Sequence, residues 1–182
     1  MYTPEIRNNG TTAEVESLYT LPFNDLLFKA HTAHRKYFEP NTVQISTLLS
    51  IKTGRCPENC SYCPQSAHYD TNTSSHGLLP VDKVVELAKI AKEKGATRFC
   101  MGAAWRNPPK KDFPKVIEIL KAVKDLNLQT CMTLGMLSDE QAVELKAAGL
   151  DYYNHNIDTS REYYEKVIST RDFNHRLDTL DK

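Results

Sequence analysis

The chain has 182 residues, with 23 Lys plus Arg against 23 Asp plus Glu, so its formal net charge is zero. That length suits one domain with a sizeable core, and the charge balance gives no electrostatic reason to expect nucleic acid or an anionic membrane surface as partner. No run approaches the length of a membrane span, and the N-terminal MYTPEIRNNGTTAEVE lacks the basic start and apolar run of a secretory signal, so a cytoplasmic, reducing location is expected.

Residues 1–13 read as frayed. Asn24 is placed to cap a helix from Asp25 to Phe38, whose Leu26, Leu27, Ala30, Ala33 and Tyr37 share a face; Pro40 and Asn41 end it. TVQISTLLSI, 42–51, alternates as a strand, with Val43, Ile45, Thr47, Leu49 and Ile51 on one side. A cysteine-bearing segment and a Ser/Thr/Asn-rich loop near 70–77 follow. Pro80 then opens a helix that turns in Val81, Val84, Val85 and Ala88 and stops at Gly95.

The second strand is expected at 97–102. Asp112 is expected to cap a helix burying Phe113, Val116, Ile117, Leu120 and Val123. A third strand spans 128–133, and Ser138 with Gln141 forms a capping box for a helix ending at Gly149. The fourth strand is expected at 151–157, with Thr159 and Glu162 as the next capping box. RLDTLDK at the end reads as a helix that has just begun.

The repeated unit is helix, tight turn, strand: KEKGATRFCMG, KDLNLQTCMTLG, KAAGLDYYNHNID. Such repetition implies parallel strands joined by right-handed crossovers, in a (β/α) barrel or a doubly wound sheet. Four strands cannot close a barrel. The expected division is therefore an N-terminal extension and helix at 1–41 and a partial α/β barrel at 42–182, the N-terminal part of a longer enzyme.

Three of the five cysteines fall in GRCPENCSYCPQ, as Cys56-x3-Cys60-x2-Cys63, directly after the first strand. α/β folds place ligand chemistry at that end of a strand. In a reducing compartment such a cluster reads as metal ligation before disulfide. Three thiolates on a cubane of four irons leave one iron open to substrate, much as a catalytic zinc keeps an open position. The competing reading is a structural zinc site with His68 or a distant cysteine as fourth ligand, in a binding module with no redox role.

Cys100 and Cys131 occupy equivalent places on neighbouring strands, each followed by Met. They are either a second pair of metal ligands or small buried hydrophobes. The last strand is unusually polar: Tyr152, Asn154, Asn156 and Asp158 alternate along one side. This suggests a lined polar pocket, unless Asp158 caps the next helix and the amides face solvent.

CxxxCxxC after the first strand of a βα series resembles the radical-SAM superfamily. STLLSIKTGRCPENCSYCPQ, RFCMGAAWRNP, CMTLG, GLDYYNHNIDTS and RLDTL resemble, block after block from about residue 42 to the end, its biotin synthase family. The resemblance implies a barrel of the radical-SAM kind. It also implies a 4Fe-4S cluster on Cys56, Cys60 and Cys63 that chelates S-adenosylmethionine, whose reductive cleavage gives a 5′-deoxyadenosyl radical for sulfur insertion into dethiobiotin, the last step to biotin.

By the same resemblance Cys100 and Cys131 ligate a 2Fe-2S cluster, the proposed sulfur donor, whose remaining ligands come from later strands. Tyr62 matches the position beside the adenine, Asn154 the substrate ring, Asn156 and Asp158 the ribose, and Arg176 the cofactor carboxylate. Gly102, Ala103 and Ala104 would admit the methionyl group, Trp105 packs, and His31 and His34 are surface residues. An electron-donor protein such as a flavodoxin or ferredoxin, and a homodimer, are implied as partners. Another radical-SAM activity is the nearer alternative, although the generic motif includes neither the paired strand cysteines nor YNHNID.

Overall fold

The protein, described here over residues 7–182 by a computed structural model, divides into two compact units, Met1–Val43 and Gln44–Lys182.

The first unit holds two helices. α1 (Thr12–Tyr19) starts at a capping box in which the Thr11 hydroxyl accepts from the Glu14 amide and the Glu14 carboxylate accepts from the Thr11 amide. Arg7 adds a two-pronged pair to Glu14 at 2.6 and 2.7 Å. The expected fraying of 1–13 thus fails at its C-terminal end, because Thr-x-x-Glu is itself a start signal; residues 1–6 lie outside the described residues. α2 (Phe23–Tyr37) begins at Pro22 rather than at Asn24. The proline already carries a helix-compatible φ and has no amide to leave unpaired, so Asn24 falls inside the first turn. Neither helix has a buried residue, and Leu27 and Phe28 are exposed.

The second unit is one parallel sheet in the order β1-β2-β3-β4, with each strand beside the next in sequence. Sequential order is that of a (β/α) barrel, not of a doubly wound sheet, whose order reverses at a switch point. β1 (Ser46–Lys52) starts four residues after the expected 42, because a ladder needs a partner and β2 (Arg98–Ala103) begins opposite Ser46. β3 is Gln129–Thr133.

β4 is only Tyr152–Tyr153, not 151–157. Its partner β3 turns away at Leu134 and Gly135, the latter at φ +86, so the last ladder-like bond runs from the Asn154 amide to the Met132 carbonyl at 2.9 Å. The residues after Asn154 therefore lie on a loop.

α3 (Val81–Glu93), α4 (Phe113–Lys124) and α5 (Asp139–Ala147) follow the first three strands. The core lies between them and one sheet face, where Phe99, Met101, Met132 and Leu134 meet Val84, Ala88, Val116 and Leu120. Each large apolar side chain so buried contributes about 1.5–3 kcal/mol. The Ser138–Gln141 box forms as expected. Asp112 sits at the cap of α4, but in a helical conformation and without a side-chain bond, since Pro114 has no N–H to donate and the Lys115 amide donates to the Asp112 carbonyl instead.

The Thr159–Glu162 box does not form. The chain there is in a tight turn, with Asp158 at φ +74 and the Thr159 amide bonded to the Ile157 carbonyl. A short 3-10 turn (Arg161–Tyr163) leads into α6 (Tyr164–Val167), and Asp172 with His175 caps α7 (Phe173–Asp181).

Candidate active site

Two features fix the cysteine loop where β1 ends. Gly54 and Arg55 both take positive φ, +73 and +51, and a Cβ on Gly54 would stand 2.7 Å from that of Ser75. The loop then closes on its own backbone: the Cys56 amide bonds Gln65 O at 2.9 Å, the Ala67 amide bonds Cys56 O at 2.7 Å, and the Cys63 amide bonds Cys60 O at 3.0 Å. These backbone bonds bring Cys56, Cys60 and Cys63 onto one short loop. Burial raises the Cys56 thiol above its ordinary pKa, and the carboxylate of Glu58 adds to this.

The segment between α6 and α7 is stitched to this loop. Asn59 Oδ1 accepts from the Ser169 and Thr170 amides at 3.0 and 3.1 Å, and the Ser61 amide donates to Val167 O at 3.0 Å. Two charged residues that the sequence reading missed lie at the seam. Glu58 is 3% exposed, with Arg171 Nη1 2.7 Å from its Oε2. Arg106 Nη1 is 3.2 Å from its Oε1, an ion pair without hydrogen-bond alignment. No periodicity marks either residue. The one clue was a lone carboxylate inside a thiolate loop, which needs a cation once buried.

A cavity of about 360 Å³ opens above the sheet and gathers eight of the ten expected site residues. Cys56, Cys60, Cys63 and Tyr62 come from the loop, and Asn154, Asn156, Asp158 and Arg176 from the end of the sheet and α7. Gly102, Ala103 and Ala104 line it, as does Trp105, which also packs on the core.

The polar residues take different roles in this wall. Asn154 and Asn156 are exposed, and Asn154 Nδ2 reaches Thr133 Oγ1 at 3.2 Å. Asp158 is turned inward: its Oδ2 receives Arg176 Nε at 2.9 Å, Arg171 Nη2 at 3.0 Å and the Tyr164 hydroxyl at 3.3 Å, while Tyr62 donates its hydroxyl to Oδ1. Burial pushes the Asp158 carboxyl up, but the Tyr62 hydroxyl and the two guanidiniums together outweigh it and hold the group below the ordinary carboxylate range. Arg176 Nη1 also faces the His155 ring at 3.2 Å.

Cys100 and Cys131 lie outside the cavity lining. They are direct register partners in the row Leu48–Cys100–Cys131–Tyr152, one step below the row Ser50–Gly102–Thr133 that floors the cavity. Burial, with Cys100 alongside, pushes the Cys131 thiol up to about 11. Beyond them Arg98 lies over the Tyr152 ring at 3.9 Å and donates to Gln129 Oε1. His31 and His34 are exposed.

Among the described residues no group of three or more His, Cys, Asp or Glu is arranged for one metal ion. His68 turns its Nε2 to the Pro57 carbonyl at 3.0 Å. Cys56, Cys60 and Cys63 line one cavity, and a set of thiolates is the donor chemistry that iron–sulfur clusters use.

The sequence profile of the Radical SAM superfamily matches residues 50–182. This chain belongs to that superfamily. Radical SAM membership implies a 4Fe-4S cluster and S-adenosylmethionine. The biotin synthase of Pseudoalteromonas translucida is 62% identical over 175 residues, covering 96% of this chain and 51% of that protein. The biotin synthase of Hahella chejuensis is 63% identical over 175 residues, covering 96% and 49%. The radical SAM chain thus spans about half the length of the curated relatives it matches. The crystal structure of methylornithine synthase superposes with a TM-score of 0.76 at 20% identity, over 94% of this chain and 51% of that one, a likeness of fold. No helix among the described residues is long and apolar enough to cross a membrane.

Proposed function

We propose that this chain carries the radical-forming part of a biotin synthase, a sulfurtransferase converting dethiobiotin to biotin in the cytoplasm. The observation that carries the reading is the register pairing of Cys100 with Cys131, one row beneath a cavity lined by Cys56, Cys60 and Cys63. A generic radical SAM site needs only the upper set. The identity of about 62% to biotin synthases over nearly the whole chain supports the same choice.

In this reading Cys56, Cys60 and Cys63 hold the 4Fe-4S cluster, and the bound cluster and S-adenosylmethionine supply a carbon-centred radical. The chain's own residues orient the reactants. Asn154 and Asn156, whose amides are exposed to the cavity, take hydrogen bonds from the substrate ring and the ribose. Asp158 keeps Tyr62 and Arg176 in place and borders the ribose position. Arg176 retains N–H groups beyond those given to Asp158 and His155 for the cofactor carboxylate. The small side chains Gly102, Ala103 and Ala104 leave room for the methionyl group. Cys100 and Cys131 supply two ligands of a 2Fe-2S centre.

A flavodoxin or ferredoxin as electron donor and a second copy of the chain complete the proposal. The test is anaerobic reconstitution: a brown protein with about four irons and matching sulfide, able to cleave S-adenosylmethionine reductively, supports it. A colourless, zinc-containing protein sinks it.

A further inference from the structure

Cys60 is the most buried thiol of the loop, at 8% exposure, and its Sγ receives a hydrogen bond from Arg171 Nη2 at 3.3 Å. Among the described residues no side-chain donor reaches Cys56 or Cys63, and Cys56 is met instead by the Glu58 amide. The Arg171 side chain is 2% exposed and is held from three further directions: by Glu58 Oε2 2.7 Å from Nη1, by Asp158 Oδ2 3.0 Å from Nη2, and by the Tyr164 hydroxyl 3.1 Å from Nε. A buried cation with four partners has one position open to it. The guanidinium links a cluster thiolate on one side to the Asp158 wall of the cavity on the other.

We propose that Arg171 is the positioning residue of the iron–sulfur site: it fixes the Cys60 thiolate and, with Glu58 opposing it, sets the reduction potential of the cluster. Reduction adds negative charge to the cluster. A donor and a positive charge at a ligand sulfur stabilise the reduced form and raise the potential, whereas a nearby anion lowers it. The two members of the pair therefore act with opposite sign. This inference rests on the cluster reading of the three loop cysteines.

The test compares wild type, Arg171→Gln, Arg171→Lys and Glu58→Gln after anaerobic reconstitution, following the reduced cluster by electron paramagnetic resonance in a redox titration. The midpoint falls in Arg171→Gln, falls less in Arg171→Lys, which keeps the charge but not the fork, and rises in Glu58→Gln. A residue that merely held the loop together would lower cluster content in every variant without separating their potentials by charge. Equal midpoints in wild type, Arg171→Lys and Glu58→Gln overturn the proposal even if Arg171→Gln fails to fold. A wild-type chain that takes up no cluster removes the reading beneath it, an outcome visible before any variant is made.

Discussion

Cys100 and Cys131 face each other across β2 and β3 as register partners, with Leu48 and Tyr152 completing the row. Neighbouring strands stand about 4.8 Å apart, so the pair can bind one metal centre together. The chain has five cysteines and three of them lie in the loop, which leaves only these two thiols for a second centre. Reconstitution is expected to give a stable 4Fe-4S spectrum without a stable 2Fe-2S one, and Cys100→Ser with Cys131→Ser is expected to leave iron content unchanged. A persistent 2Fe-2S absorption that the double variant abolishes would contradict this.

Gly135 packs where no side chain fits. A Cβ there would stand 2.3 Å from Arg106 O and 2.6 Å from Trp105 O, at φ +86. Arg106 O also accepts the Met136 amide at 2.8 Å. Gly135→Ala is expected to destabilise the fold by about 2–3 kcal/mol through positive-φ strain and displaced backbone. Urea unfolding measures the effect, and a midpoint unchanged from wild type would refute it.

Most of the sheet, the helices α2 to α5 and the cysteine loop were legible because they are written in local periodicity and in fixed spacing. Val84, Ala88, Val116 and Leu120 repeat at helical intervals, and the thiols of the loop announce themselves by type. The end of β4 was not legible, since YNHNID alternates well enough for a strand and its termination depends on where β3 turns at Gly135. Glu58 and Arg171 were not legible either. Their pairing joins residues 113 positions apart, and nothing local to either marks burial. The capping box of Thr11 and Glu14 is written locally as Thr-x-x-Glu.

Asp158 and Asn156 separate wall structure from ligand contact. The Asp158 side chain is fully buried against two guanidiniums, while Asn156 is exposed to the cavity. Asp158→Asn leaves both cations facing a neutral amide and is expected to cost about 3 kcal/mol of stability. Asn156→Ala is expected to stay within about 0.5 kcal/mol of wild type while weakening S-adenosylmethionine binding. Denaturant midpoints and equilibrium dialysis check the two; equal stability loss in both variants would assign the loop a purely structural role.

His155 gives the chain a pH dependence whose sign follows from its surroundings. Burial, then Arg176 and Arg171, push its imidazole down to about 4, whereas an unfolded histidine titrates near ~6.5. Between these values the unfolded chain binds a proton that the folded chain refuses, so stability rises with pH there and falls as pH is lowered from about 6.5 toward 4. Asp158, held below the ordinary carboxylate range, loses its contribution only at lower pH still, as its own carboxyl protonates. His155→Gln removes the titrating group and keeps a polar side chain opposite Arg176. The variant's denaturant midpoint is therefore expected to vary less between pH 7 and pH 5 than that of wild type. Identical pH profiles would mean that the imidazole titrates normally in the folded chain and that Arg176 does not confront it.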